Sequence, residues 1–185
     1  MKRLWARSLV GTLSACASVT TWTRPDYETK DRKRVLRLVV VPQSNSTPAV
    51  TQRAGKVALR YANHHRDFIV REVVSATVTP CQDDLEGVLS VNVEVASASP
   101  VGILAKADLK DCGGTELWRG EHESSYPSAD DNLKELTDSY VEELGEEVRP
   151  FVSPVFQALR RVLDELPVAE MPNDDYVMEK IELEE

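Results

Sequence analysis

The sequence predicts an α+β domain, arranged as an α/β sandwich in which helices pack against a mixed sheet of about five strands. Residues 35–41 are rich in β-branched valine and nearly continuous in apolar character, which is typical of a strand covered on both faces. Residues 89–96 and 101–109 alternate apolar and polar side chains, as in strands with one buried face. About three further segments repeat apolar residues at helical spacing, which predicts the helices that pack on the sheet.

The first half of the domain reads as strand, helix, strand. The strand at residues 35–41 ends at Pro42 and lies inside the sheet. Thr47 and Pro48 begin a helix that runs to about His64, because proline favours the first helical turn. A second strand follows at residues 67–74, and residues 79–86 form an acidic loop.

A three-strand antiparallel meander and two helices complete the domain. The third strand of the meander covers residues 115–124, after a tight turn at residues 111–114. Residues 128–131 cap a second helix, which Pro150 ends, and Pro154 begins a third helix that ends before Pro167.

The chain length suits one domain with extensions at both ends. We expect a signal peptide at residues 1–15, a lipidated N-terminus and polar tether at residues 16–33, and the globular domain at residues 34–167. Residues 168–185 are rich in carboxylates, which predicts a mobile acidic tail with a short strand near residues 176–181.

The charge balance excludes one class of partner. The chain carries 31 acidic and 22 basic residues, for a net charge of −9. Binding to nucleic acid phosphates, or directly to anionic lipids, requires a basic surface. We therefore expect no nucleic acid partner.

The N-terminal segment has the plan of an export signal. Three basic residues precede a short apolar stretch, and Leu13-Ser14-Ala15-Cys16 follows. These four residues resemble the lipobox of bacterial lipoprotein precursors, whose cysteine is acylated. The alternative is an ordinary secretory signal, or a cytosolic start, with an incidental cysteine.

The lipobox resemblance implies a location. Cys16 would carry several acyl chains, palmitate among them, which together hold a protein stably on a membrane. Ala17, rather than aspartate, follows the cysteine, and this resembles the pattern sorted to the outer membrane. We expect attachment at its periplasmic face, with the outer face of the inner membrane and the cell surface as alternatives.

The two other cysteines, Cys81 and Cys112, are expected to form a disulfide in an oxidising compartment. The meander brings the start of its first strand and its second turn to the same end of the sheet, which places the two cysteines close together. A redox-active or metal-binding pair is the alternative, although the sequence contains no C-x-x-C motif.

The turn around Cys112 is similar to the "L-x-D-x-x-x-G-x-x-L-W-x-G" hairpin of the CsgG, PelC and TolB-N-terminal-like envelope lipoproteins. Glycine permits the positive φ of the turn, and tryptophan can cover the sheet. The resemblance implies the same fold and an accessory role in the envelope. The residues that correspond are Leu109, Asp111, Gly114, Leu117, Trp118 and Gly120, with two residues between Asp111 and Gly114 where the pattern has three.

Few residues suggest chemistry. His64 and His65 end a predicted helix, and the hydroxyls of residues 44–47 precede it, so we interpret these groups as solvated and capping residues respectively. We predict no catalytic residues, no metal site and no cofactor, because no catalytic or nucleotide-binding motif is present. Trp118 and His122 are the residues that we predict on a binding surface.

The sequence therefore predicts a noncatalytic, membrane-anchored periplasmic lipoprotein that serves as an accessory or structural component of an envelope or secretion assembly. Its partners would be envelope proteins or further copies of itself. A ligand-binding or hydrolytic periplasmic lipoprotein is the alternative.

Overall fold

The computed structural model describes residues 18–74, 85–98 and 100–184. The predicted signal peptide, Cys16 and Cys81 lie outside the described residues. In the described part of the chain, no helix is both long and apolar enough to span a bilayer.

The described strands form one six-stranded mixed sheet in the order β1-β6-β5-β4-β2-β3. The strands are β1 (Thr20–Thr23), β2 (Arg37–Ser44), β3 (Ile69–Val73), β4 (Glu86–Ala98), β5 (Val101–Asp111) and β6 (Glu116–Tyr126). Strands β4, β5 and β6 form the predicted antiparallel meander, and β2 pairs in parallel with both β3 and β4. The α+β fold class is therefore confirmed.

The described helices are α1 (Tyr27–Lys30), α2 (Pro48–Arg66), α3 (Lys134–Leu144), α4 (Arg149–Leu163) and α5 (Asp174–Glu184). Helices α2 and α4 pack on each other and on one face of the sheet. The core lies between them and the strands, because most of the alternating apolar residues of β4 and β5 point to this face.

The predicted tether is wrong from Thr20 onward, because the chain has already joined the domain there. Strand β1 pairs with β6 and adds a sixth strand to the sheet. Tyr27 of α1 is fully buried in the main core. The polar sequence of this segment did not indicate either contact, because β1 is a fully exposed edge strand and α1 buries only one side chain, the ring of Tyr27.

The predicted C-terminal strand is also wrong, because Asp174–Glu184 forms the helix α5. This helix lies beside β3, and Glu179 accepts two hydrogen bonds, of 2.7 and 2.6 Å, from the Arg37 guanidinium. Arg37 also lies over the ring of Tyr176, 5.3 Å from its centroid. An ion pair and a cation–π contact therefore hold part of the acidic segment against the sheet.

The break between the last two predicted helices lies earlier than expected. Helix α3 ends at Leu144 because Gly145 adopts a φ of 95°, which only glycine adopts readily. Pro150 does not stop a helix. It occupies the first turn of α4, which continues through Pro154.

Candidate functional site

The turn between β5 and β6 explains the first half of the lipoprotein-like hairpin pattern. Gly114 has a φ of 79°, and its N–H donates to the Asp111 carbonyl oxygen. The Asp111 carboxylate accepts hydrogen bonds from the Thr115 N–H at 2.9 Å and from the Arg34 guanidinium at 2.8 Å. Burial acts to raise the pKa of Asp111, but these two hydrogen bonds hold it below its ordinary value.

Trp118 is a core residue and not part of a binding surface. Its side chain is fully buried, because every second residue of β6 points toward α4. A Cβ at Gly120 would lie only 2.8 Å from the indole Cζ2 and 3.0 Å from a methyl group of Val162. The W-x-G pattern therefore lets the indole lie across the glycine two residues later on the same strand face.

His122 is also buried, which corrects its assignment to a binding surface. It is only 4% exposed, and its Nε2 lies 2.9 Å from the Tyr126 hydroxyl. Burial, together with the positive charge of Arg161, lowers the pKa of His122 below its ordinary value. At neutral pH the ring is thus an uncharged core group.

Cys112 is disulfide-bonded, and its partner lies outside the described residues. Its Sγ lies 3.2 Å from the carbonyl oxygen of Glu86. Glu86 follows Cys81 by five residues in the sequence, whereas Cys16 is far from it. We therefore propose the Cys81–Cys112 bridge. Mass analysis of the peptides under non-reducing conditions identifies the pair, and a free thiol at Cys81 would contradict it.

The hydroxyl groups before α2 serve as caps. Thr47 Oγ1 accepts a hydrogen bond from the Val50 N–H at 3.4 Å, and Ser44 Oγ accepts one from the Ser46 N–H at 3.1 Å. The capping interpretation of this loop is confirmed.

The histidines at the other end of α2 are exposed. The ring of His65 packs on that of Tyr61, with the centroids 4.6 Å apart. Within the described ranges, no three His, Cys, Asp or Glu side chains are grouped so that they could hold a metal ion.

No described helix packs extensively on the face of the sheet opposite α2 and α4 over β1, β6, β5 and most of β4. Trp22 of β1 is 37% exposed and lies opposite Arg119, whose guanidinium is 5.6 Å from its ring. Lys106 lies between Glu94 and Glu121, at 3.5 and 3.9 Å. We call this surface the open sheet face, and it carries paired charges around one exposed aromatic ring.

A concave surface lies on the helical side of the sheet, between α2, α3 and α4. We call it the arginine pocket. It has a volume of about 110 Å³. Its lining residues are Arg53, Val57, Arg60, Tyr61, His64, His65, Leu136, Tyr140 and Phe156.

Arg53 is the central group of the arginine pocket. Its side chain is 1% exposed, and its guanidinium carbon lies 3.5 Å from the centre of the Tyr140 ring. One terminal nitrogen donates a long hydrogen bond of 3.5 Å to the Val152 carbonyl oxygen. The Nε–H is buried and has no hydrogen-bond partner in the described part of the chain.

The cation nearest to Arg53 in the arginine pocket is Arg60. Burial lowers the pKa of Arg53 to about 10, Arg60 acts in the same direction, and Tyr140 acts in the opposite direction. Burial and the charges of Arg60 and Arg53 likewise lower the pKa of Lys56. Lys56 pairs with Glu143, whereas no described carboxylate forms an ion pair with Arg53 or Arg60.

Sequence reasoning missed this pocket although a signal was present. Arg53 stands three residues after Val50 and four before Val57, in the middle of the apolar face of α2. An arginine at such a position must be buried or must interrupt the packing. The partner ring, Tyr140, belongs to a helix far away in sequence, so the sequence alone could not supply the contact.

Comparisons with known proteins give a weak structural likeness. No protein-family model and no curated protein matches the chain. A PelC dodecamer from Paraburkholderia phytofirmans is similar, with 16% identity and a TM-score of 0.45, over 72% of this chain and 96% of that one. A point variant of that PelC, in another crystal form, has 15% identity and a TM-score of 0.45, over 72% and 98%.

Proposed function

We propose that this chain is a noncatalytic accessory domain of the bacterial envelope, held by a lipid on Cys16 to the periplasmic face of the outer membrane. The observation that carries the proposal is the position of β1. Thr20 enters the sheet four residues after Cys16. Four residues span at most about 14 Å, so the lipid would hold the domain directly against the bilayer.

The position of the open sheet face suggests how the domain would be oriented on the membrane. Strand β1 forms one edge of this face, so the lipid would be attached beside it. Trp22, on the same strand, is exposed two residues after Thr20, and aromatic rings are favoured at the membrane interface. The paired charges of the open sheet face then lie near the membrane, where a neighbouring envelope protein or a second copy would bind.

The remaining candidates for chemistry have structural roles, which favours a noncatalytic function. His122 contacts Tyr126 inside the core, and the hydroxyls of Ser44 and Thr47 cap the start of α2. A hydrolytic site built from these groups is therefore unsupported.

Replacing Cys16 tests the anchor. We expect Cys16→Ala to remove nearly all of the protein from the membrane fraction, because no lipid can then be attached. Cys112→Ser is the matched control, since it also removes a cysteine but leaves Cys16 intact. Fractionation of cell envelopes followed by immunoblotting makes the comparison. A Cys16→Ala protein that stays with the outer membrane would contradict the anchor.

Site-specific crosslinking tests the accessory role. A photo-crosslinking residue at Glu121 probes the open sheet face, and one at Arg160 probes the outer surface of α4. The two side chains are similarly exposed, at 56% and 59%. We expect crosslinks to envelope proteins or to a second copy from position 121 only. Equal crosslinking from both positions, or from position 160 alone, would contradict the proposal.

A further inference from the structure

We propose that the arginine pocket is a binding site for a small oxyanion, a carboxylate or a phosphate group, held by the Arg53 Nε–H and the guanidinium of Arg60. This site is independent of the lipid anchor and of the open sheet face.

The first argument is the unsatisfied donor. A buried N–H without an acceptor loses its hydrogen bond to water and gains none in return, which is unfavourable, and more so when the group is charged. Most buried polar groups in folded proteins have a partner. The Arg53 Nε–H has none among the described residues, yet Arg53 lines a cavity that could hold one.

The second argument is the uncompensated charge. A buried arginine ordinarily pairs with a carboxylate, because isolating its charge in a low dielectric is costly. The ring of Tyr140 at 3.5 Å compensates in part through a cation–π contact. Arg60, whose guanidinium carbon lies 5.9 Å from the same ring, adds a second positive charge instead of neutralising the first.

The third argument is the shape of the cavity. A volume of about 110 Å³ exceeds what one water molecule needs, so an acetate-sized or phosphate-sized group fits. Tyr140, Phe156 and Leu136 supply apolar walls beside the two guanidinium groups. Planar guanidinium donors match carboxylate and phosphate oxygens, which makes an oxyanion the complementary ligand.

Arginine side-chain NMR provides the direct test. The Nε–Hε signal of Arg53 is followed while sodium phosphate, and separately sodium acetate, is added to the purified protein at constant ionic strength. We expect this signal to shift and to saturate with at least one of the two anions, while the signal of Arg119 stays in place. If neither anion moves the Arg53 signal, or if Arg53 and Arg119 move alike without saturation, the proposal is overturned.

Variants provide the second test, by calorimetric titration with whichever anion binds. Arg53→Met keeps a long apolar chain in the buried position, and Arg60→Met removes the second cation. We expect Arg53→Met to weaken affinity roughly ten- to a hundredfold, because one charge-assisted hydrogen bond is lost. Arg60→Met should weaken it less.

Arg119→Met is the matched control, because Arg119 also stacks on an aromatic ring but lies on the open sheet face. The Arg119→Met protein should bind the anion with the affinity of the unmodified protein. Unchanged affinity in Arg53→Met would overturn the assignment. If Arg53→Met fails to fold, the Arg60→Met titration and the Arg53 signal of the unmodified protein decide the question.

Discussion

Trp118→Ala should lower the free energy of unfolding by about 3–5 kcal/mol, the range measured for removing large aromatic rings from protein cores. The indole is fully buried and contacts both Gly120 and α4. Its removal leaves a cavity that these neighbours cannot fill, because Gly120 has no side chain. Domains of this size are stable by only about 5–15 kcal/mol, so much of the protein would unfold at moderate denaturant concentration.

Trp118→Phe is the control for this substitution. A phenyl ring fills most of the space, and the indole N–H that it removes has no hydrogen-bond partner among the described residues. We therefore expect a smaller loss of roughly 1–2 kcal/mol. Urea denaturation followed by circular dichroism compares the three proteins. If Trp118→Ala is as stable as the unmodified protein, Trp118 does not lie in the core.

The sheet could be predicted well because its strands have simple patterns. Alternation in β4 and β5 gives one buried face, and the continuous run in β2 indicates burial on both faces, where residues 38–42 are indeed buried in succession. These patterns arise from the local geometry of a strand, so they can be recognised in the sequence without knowing which elements pack against it.

The ends of the domain could not be predicted because their contacts are made by few residues. Strand β1 has no buried residue, and its pairing with β6 depends on backbone hydrogen bonds that any sequence can form. Helix α5 depends on contacts such as Arg37 with Glu179, whose partners lie far apart in the chain. A charge-rich composition describes a solvated tail and a docked helix equally well.

The candidate site shows the same limit. The hairpin motif correctly identified a turn with Gly114 at positive φ, but it did not reveal that Trp118 faces the helices. Which face of a strand is covered depends on where α4 packs. Arg53 is the reverse case, because its position on α2 is predictable whereas the surrounding rings come from α3 and α4.

Tyr27→Ala should lower the free energy of unfolding by about 3–5 kcal/mol, as for other buried rings. This result would show that residues before the predicted domain boundary belong to the folded unit, because a ring in a tether has no packing to lose. Tyr27 is fully buried and packs in the main core. Denaturant unfolding of Tyr27→Ala, with Trp22→Ala as an exposed aromatic control, measures the difference. A loss below about 1 kcal/mol, the range of exposed positions, would contradict the placement of α1.

Tyr27→Phe separates the hydroxyl from the ring. The hydroxyl is buried without a hydrogen-bond partner among the described residues, so its removal should leave stability at pH 7 unchanged or raise it by about 1 kcal/mol.

Burial, with the negative charges of Asp31 and Glu28, raises the pKa of Tyr27 well above its ordinary value. The folded state therefore holds the phenol of Tyr27 in its neutral form. This costs no stability below about pH 10, the pKa of an unfolded tyrosine, but at higher pH the unfolded state is favoured because its tyrosine can ionise. Tyr27→Phe should therefore lose less stability than the unmodified protein between about pH 9 and pH 11. Because Tyr61 and Tyr126 also have raised pKa values but are present in both proteins, the difference between the two pH profiles isolates Tyr27. Parallel profiles would mean that its hydroxyl reaches solvent and that α1 does not seal this part of the core.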